Sequence, residues 1–354
     1  MWRKLLICSV AVVVMIGATG CIKINKQKTQ TSNLGGIFFT DDRFESWKHR
    51  SLLMTPGENP GTIGGTNVYF MKFDPSDSEA LYAATLGDGL YYSYNGGLGW
   101  LRSERLPAGL IRDLVVNPKD KCQLYIGVDI RVYRSDDCAR TWKELYFSDS
   151  GEKKVSALAI DWYTPTVVYA GLTDGSLLKS DDSGLSWKMV DTFGTRVQKI
   201  ILDPFDSRNL YLASVDHGLW KSIDKGVTWV DLMPAMQDFK SSRKYYDFNL
   251  SASTENLLVY ASNYGLLRSL DGGETWSEIK LITPPNAEEI FSVAIDPINP
   301  NYIYYSTNSA VYKTVDGGLN WVVKKTPTTR VVSELLIHPT DTSNIFAGVR
   351  LIEQ

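Results

Sequence analysis

The chain has little of what metal or redox chemistry requires. Its 354 residues hold four cysteines and three histidines, and His49, His217 and His338 are scattered, with no CxxC or HExxH spacing to gather ligands. No metal and no cofactor are expected. Positive charge is not in excess either: 37 Lys and Arg against 40 Asp and Glu leave a net charge of -3, which speaks against a nucleic-acid partner. The glycine cluster GTIGG at 61–65 precedes a strand pattern and no helix, so it is not a phosphate cradle. Long apolar runs are missing outside the first twenty residues.

Those first residues read as a leader. Arg3 and Lys4 precede an apolar run at 5–16, too short for a comfortable membrane span, and Ala18, Thr19, Gly20 and Cys21 follow. Small residues before a cysteine resemble a bacterial lipoprotein cleavage site. Residues 1–20 are then a lipoprotein signal peptide and Cys21 is the lipidated N-terminus. Residues 21–33, polar and basic, form a flexible tether. The expected location is the bacterial cell envelope, lipid-anchored on the extracytoplasmic side of a membrane.

What the rest of the chain has in abundance is one phrase. SxDxGxxW is close to complete at 180–187, 222–229 and 269–276, and at 314–321 with Thr for Ser. It is worn at 93–100, where Asn95 replaces the Asp, at 135–142, where Ala139 replaces the Gly, and at 40–47. The first residues lie 53, 42, 45, 42, 47 and 45 apart, a period that a four-stranded propeller blade fills. The phrase has a physical reason. A hydroxyl and the carboxylates of Asp42, Asp137, Asp182, Asp224, Asp271 and Asp316 can bond the N–H groups of a tight turn, Gly takes its positive φ, and Trp packs at the blade foot. Short alternating strands precede each phrase, the first ending in an Asp-Pro-like turn, and almost no room remains for helix.

The two chain ends complement one another. The C-terminal stretch supplies two strands without a phrase, and the N-terminal stretch a phrase without two strands. Residues 330–349 and 34–48 are expected to share the seventh blade and close the ring, which leaves no open edge. The prediction is an all-β chain with one seven-bladed propeller over 34–354, four antiparallel strands per blade. Cys122 and Cys138 fall at one end of neighbouring strands in a single blade, so a disulfide is expected.

These repeats resemble the Asp-box (BNR) β-propellers, a group that holds sialidases, the sortilin ectodomain, xyloglucan-degrading glycosidases and lipoproteins related to the photosystem II assembly factor. The resemblance covers essentially the whole mature chain and is specific for fold, not activity. A sialidase of this group implies an Arg-Ile-Pro sequence, which does not occur. For the xyloglucan-degrading kind, Asp88 falls where that family carries a catalytic-type Asp. Its partner carboxylate, needed at roughly 5 to 10 Å, comes in that family from a second propeller.

Sites on propellers usually lie on the face carrying the loops that lead into the inner strands and those joining second to third strands, opposite the boxes. On that face Arg112, Lys154, Arg196, Lys244 and Arg330 precede or open inner strands of five blades. As a ring around the channel mouth they would favour an anionic ligand or an acidic protein surface. Asp88, Asp129 and Asp174 in the second-to-third loops are the alternative, glycan-binding set. The long loops at 49–66, 231–243 and 282–288 add a capping surface. The expected function is a non-catalytic, membrane-anchored, monomeric propeller that binds a protein partner as a scaffold or assembly factor. The alternative is surface carbohydrate binding, with or without glycoside hydrolysis.

Overall fold

The computed structural model describes residues 32–55 and 59–352. The proposed signal peptide, Cys21 and all but the end of the tether therefore lie outside the described residues. Seven four-stranded antiparallel sheets follow one another in the pattern predicted. The inner strands are Val68–Asp74, Ile111–Asn117, Val155–Ile160, Val197–Leu202, Tyr245–Leu250, Ser292–Ile295 and Val331–Ile337, which define blades 1 to 7. Each runs into a second and third strand and then, through the box, into a short outer strand. In addition, a small hairpin (Leu52–Leu53 with Gly61–Thr62) and one 3-10 turn (Met233–Met236) occupy two of the long loops.

Blade 7 is assembled from both ends of the chain. Ile345–Arg350 pairs with Val331–Ile337 on one side and with Gly36–Thr40 on the other, in the register Gly36 to Val349 through Thr40 to Ile345. Apolar side chains gather in seven clusters, each shared by two neighbouring blades and the last joining blade 7 to blade 1. Ring closure thus buries the same kind of interface as every other blade contact.

The box is the hinge of each of those contacts. In all seven copies the first hydroxyl accepts the backbone N–H four residues later at 2.7–3.0 Å and donates to the carboxylate or, at Asn95, the amide oxygen two residues later. The turn needs two successive residues at positive φ, as at Gly317 (φ 71) and Gly318 (φ 94). Where the box is worn, Ala139 (φ 65) and Phe44 (φ 74) hold the same backbone, and Phe44 is buried against Trp47 and Tyr304. Lodged in this way, the box offers a carbonyl to the preceding blade. Tyr125, Tyr169 and Tyr211 donate their hydroxyls to the carbonyls of Ser183, Lys225 and Gly272. Arg134, Lys221, Arg268 and Lys313 bond the carbonyls of Ser183, Gly272, Gly317 and Arg43. Cys122 and Cys138 are joined as a disulfide that ties the box of blade 2 to its second strand.

Candidate functional site

The loop face is built as the strand order requires. The carbonyls of Asn67, Leu110, Lys154, Arg196 and Lys244 accept backbone N–H groups from the second-to-third loops of their own blades, at Leu86, Asp129, Thr173, Val215 and Asn263. These five residues share one place in the repeat, eight residues ahead of the position where the turn proline stands. Only Lys154, Arg196 and Lys244 among them are basic, and they sit on three consecutive blades. The basic set expected as a ring is therefore an arc over blades 3 to 5, completed by nothing on blades 1 and 2.

The other two predicted cations stand elsewhere. Arg112 lies two residues deeper, on the bulged residue of its strand. Arg330 is buried, and its guanidinium donates to the carbonyls of Gly65 and Thr66, to the side chain of Asn67 at 3.0 Å each, and to Asn33. It fastens the first described residues to blade 1 and is not available at the rim. Gly35 makes room for it, since a Cβ there would meet the guanidinium and the Thr66 carbonyl.

The acidic set is mostly turn chemistry. Asp174 accepts the N–H of Ser176 at 3.0 Å and pairs with Lys153 at 3.3 Å, so hydrogen bonds and that ammonium hold its carboxyl below the usual range against a burial penalty. Asp129 has positive φ (47), the conformation a short polar residue adopts in a tight loop. Asp88 is exposed in a turn flanked by Gly87 and Gly89. The long loop at 231–243 packs inward, with Met236 fully buried and Phe239 against Tyr264 at 5.2 Å. The loop at 49–66 lies along the outside of blade 1, where its hairpin pairs with Trp100. Among the described residues no group of three or more His, Cys, Asp or Glu is placed to hold a metal.

Sequence reading missed the channel. In blades 1, 2, 3, 4, 5 and 7 the inner strand carries a β-bulge, at Tyr69, Arg112, Ser156, Gln198, Tyr246 and Ser333. The residue after each bulge is Phe70, Asp113, Ala157, Lys199, Asp247 or Glu334, and four of these six are charged. Asp113 bonds Lys72 at 2.6 Å and accepts the N–H of Leu158 on the next inner strand at 2.8 Å. Asp247 likewise bonds Lys199 at 2.8 Å and accepts the N–H of Val293 at 2.9 Å. Glu334, between these pairs on the ring, is half-buried on its strand. Desolvation first, and then the Asp247 charge, push its carboxyl up to about 8. A cavity of about 220 Å³ opens beside it, lined by Lys199, Asp247 and Asn249 as well as Glu334 and by aliphatic side chains near Pro297 and Pro339.

Comparison with known proteins agrees with the fold and divides on activity. No protein-family profile matches the chain. Xyloglucanases from Paenibacillus sp and Acetivibrio thermocellus are 29% and 32% identical to it over 146 and 145 residues, 34% of this chain in both cases. The matched part spans only 14% and 17% of those relatives. Among solved structures, the GH74 xyloglucanase from Xanthomonas campestris aligns over 81% of this chain and 51% of its own, with TM-score 0.63 at 20% identity. YCF48 bound to a D1 peptide aligns over 81% of this chain and 93% of its own, with TM-score 0.61 at 13% identity. YCF48 from Cyanidioschyzon merolae aligns over 80% and 95%, with TM-score 0.60 at 12% identity. These likenesses establish the seven-bladed propeller.

Proposed function

We propose that the protein is a non-catalytic, membrane-anchored propeller that binds a protein partner as a scaffold or assembly factor at the cell envelope. The observation that carries this reading is the arc of Lys154, Arg196 and Lys244 on consecutive blades of the loop face. Three cations on one rim segment steer and orient an acidic partner surface more than they bind it tightly. Lys244 is exposed and its ammonium lies over the ring of Tyr246 at 5.7 Å. Support also comes from likeness in fold. The propeller aligns with the YCF48 structures, one of which is bound to a D1 peptide.

Anchoring through Cys21 belongs to this proposal, with the tether delivering the propeller to a membrane surface. The second reading, a carbohydrate-binding or hydrolysing propeller, is favoured by the sequence identity with the two xyloglucanases. In that case exposed Asp88 supplies one carboxylate and the other must come from a second protein or domain.

Crosslinking and co-purification from native membranes tests the choice, comparing wild type with Arg196→Glu/Lys244→Glu. Lys244 is exposed and Arg196 is half-buried, so the comparison is made on variant protein shown to melt like wild type, in which capture of a specific partner should fall at least about tenfold. Equal capture by both proteins overturns the partner-binding arc. Release of oligosaccharides from xyloglucan by wild type, abolished in Asp88→Asn, establishes the second reading instead.

A further inference from the structure

The most unusual chemistry in the molecule lies in the channel and is not used by the loop-face reading. Five ionisable side chains face one another there: Lys72 from blade 1, Asp113 from blade 2, Lys199 from blade 4, Asp247 from blade 5 and Glu334 from blade 7, with the Tyr245 hydroxyl nearby. Two ammonium groups pair with two carboxylates at 2.6 and 2.8 Å. The fifth group has no ion-pair or hydrogen-bond partner among the described residues. Ionised, Glu334 leaves the channel with one uncompensated negative charge; protonated, it leaves the channel neutral.

The cavity beside Glu334 has a polar end and an apolar end. Glu334, Asp247, Lys199 and Asn249 supply its polar lining, and Leu250, Ile295 and Ile337, at the box-face ends of their inner strands, with Pro297 and Pro339 just beyond, supply the apolar lining. Its volume of about 220 Å³ equals that of roughly seven waters at about 30 Å³ each. An unbranched alkylammonium fits both ends, with its stem along the aliphatic wall and its charged head against the one carboxyl that lacks a counter-ion. An anion would face Asp247 and Asp113 as well as Glu334, and the two lysines that could attract it are already paired.

We propose that the box-face end of the channel is a binding site for a primary alkylammonium group, with Glu334 as its counter-ion. The group is either a free aliphatic amine or a lysine side chain of a partner. Binding is coupled to proton release. Desolvation and the Asp247 charge raise the Glu334 carboxyl and so favour its neutral form, and an entering ammonium restores the ordinary order by favouring the carboxylate. The coupled proton makes affinity rise close to tenfold per pH unit from pH 6 to about 8, the range below the raised Glu334 carboxyl, and level off above it until the amine itself loses charge.

Isothermal titration of the full chain with n-butylammonium, repeated in buffers of different ionisation enthalpy, reads affinity and proton release together. Wild type is expected to bind with release of close to one proton at pH 7. Glu334→Gln, which keeps shape and removes the charge, should bind at least tenfold more weakly and release none. A capped lysine derivative, with both backbone ends blocked, separates the two sources: its binding assigns the site to a side chain, and binding of butylammonium alone assigns it to free amines. Absence of butylammonium binding up to pH 9, equal binding by Glu334→Gln, or binding of butyrate in its place overturns the site. Because Arg196 and Lys244 lie on the opposite face, either result leaves partner capture there independently testable.

Discussion

At the residue scale the box aspartates are acceptors, and their ionisation is what the turn rewards. Hydrogen bonds from a serine, threonine or asparagine side chain and from backbone N–H groups hold Asp182, Asp224 and Asp316 down to about 2. In Asp137 and Asp271 the same bonds outweigh a burial penalty and reach about 2 as well. A carboxyl depressed in the folded state lends stability that is fully present above its unfolded value near 4 and lost as pH falls through the folded value near 2. Thermal denaturation across pH 5 to 2 should therefore show a steep loss in wild type. Asp182→Asn/Asp224→Asn/Asp316→Asn should be flatter across that window, since an amide keeps the acceptor without the titration, as Asn95 does naturally by accepting the Gly99 N–H at 3.0 Å. Parallel curves for the two proteins would show that other groups govern acid lability.

At the element scale the hairpin between third and outer strands is the unit that repeats, and blade 2 shows what a weakened copy requires. Its box carries Ala139 in place of Gly at φ 65, buried in the cluster between blades 1 and 2. Cys138 beside it is also at positive φ (59), and left-handed backbone costs a non-glycine residue roughly 1 kcal/mol or more. The disulfide to Cys122, 16 residues away, offsets this by restricting the unfolded chain, an effect of about 3 kcal/mol for a loop of that size. Cys122→Ala/Cys138→Ala should lower stability by about that amount in chemical denaturation, with unchanged m-value. A loss below about 1 kcal/mol would mean that the hairpin stands without its staple. Bulges are the second recurring element. Those of blades 2, 4, 5 and 7 precede the charged Asp113, Lys199, Asp247 and Glu334 and so re-aim a side chain as bulges do, whereas Phe70 and Ala157 after the other two lie in inter-blade apolar clusters.

At the scale of the whole molecule the ring has no free sheet edge between blades, because residues from both chain ends share blade 7. Phe346, buried in that blade, reaches the box of blade 1 at Gly97, so losing the last strand breaks two interfaces at once. Removal of the final fifteen residues takes away Ile345–Arg350 and should abolish cooperative unfolding. A truncated protein that melts like wild type would disprove the dependence on closure. Channel and loop face also separate at this scale: the charge-lined cavity reaches the face of the boxes, and the basic arc lies at the other end of the same inner strands.

The repeat, the blade number, the shared seventh blade and the Cys122 to Cys138 pairing were all legible in the sequence, because each depends on spacing along the chain and on turn chemistry that is local. The site was legible only in part. Lys154, Arg196 and Lys244 emerge at the rim as read, since the residues leading into strands are found by counting back from a turn. Arg330 has the same local appearance, yet it is drawn inward by the carbonyls of Gly65 and Thr66, 265 and 264 positions away. The channel set of Asp113, Lys199, Asp247 and Glu334 could not be read from alternation, because one bulged residue reverses which side chains face inward. Sequence alone thus determined the architecture, through a short phrase whose hydrogen bonds close within eight residues. Only tertiary structure decided which charges are exposed, which are paired and which one stands alone, because those outcomes depend on groups brought together across the ring.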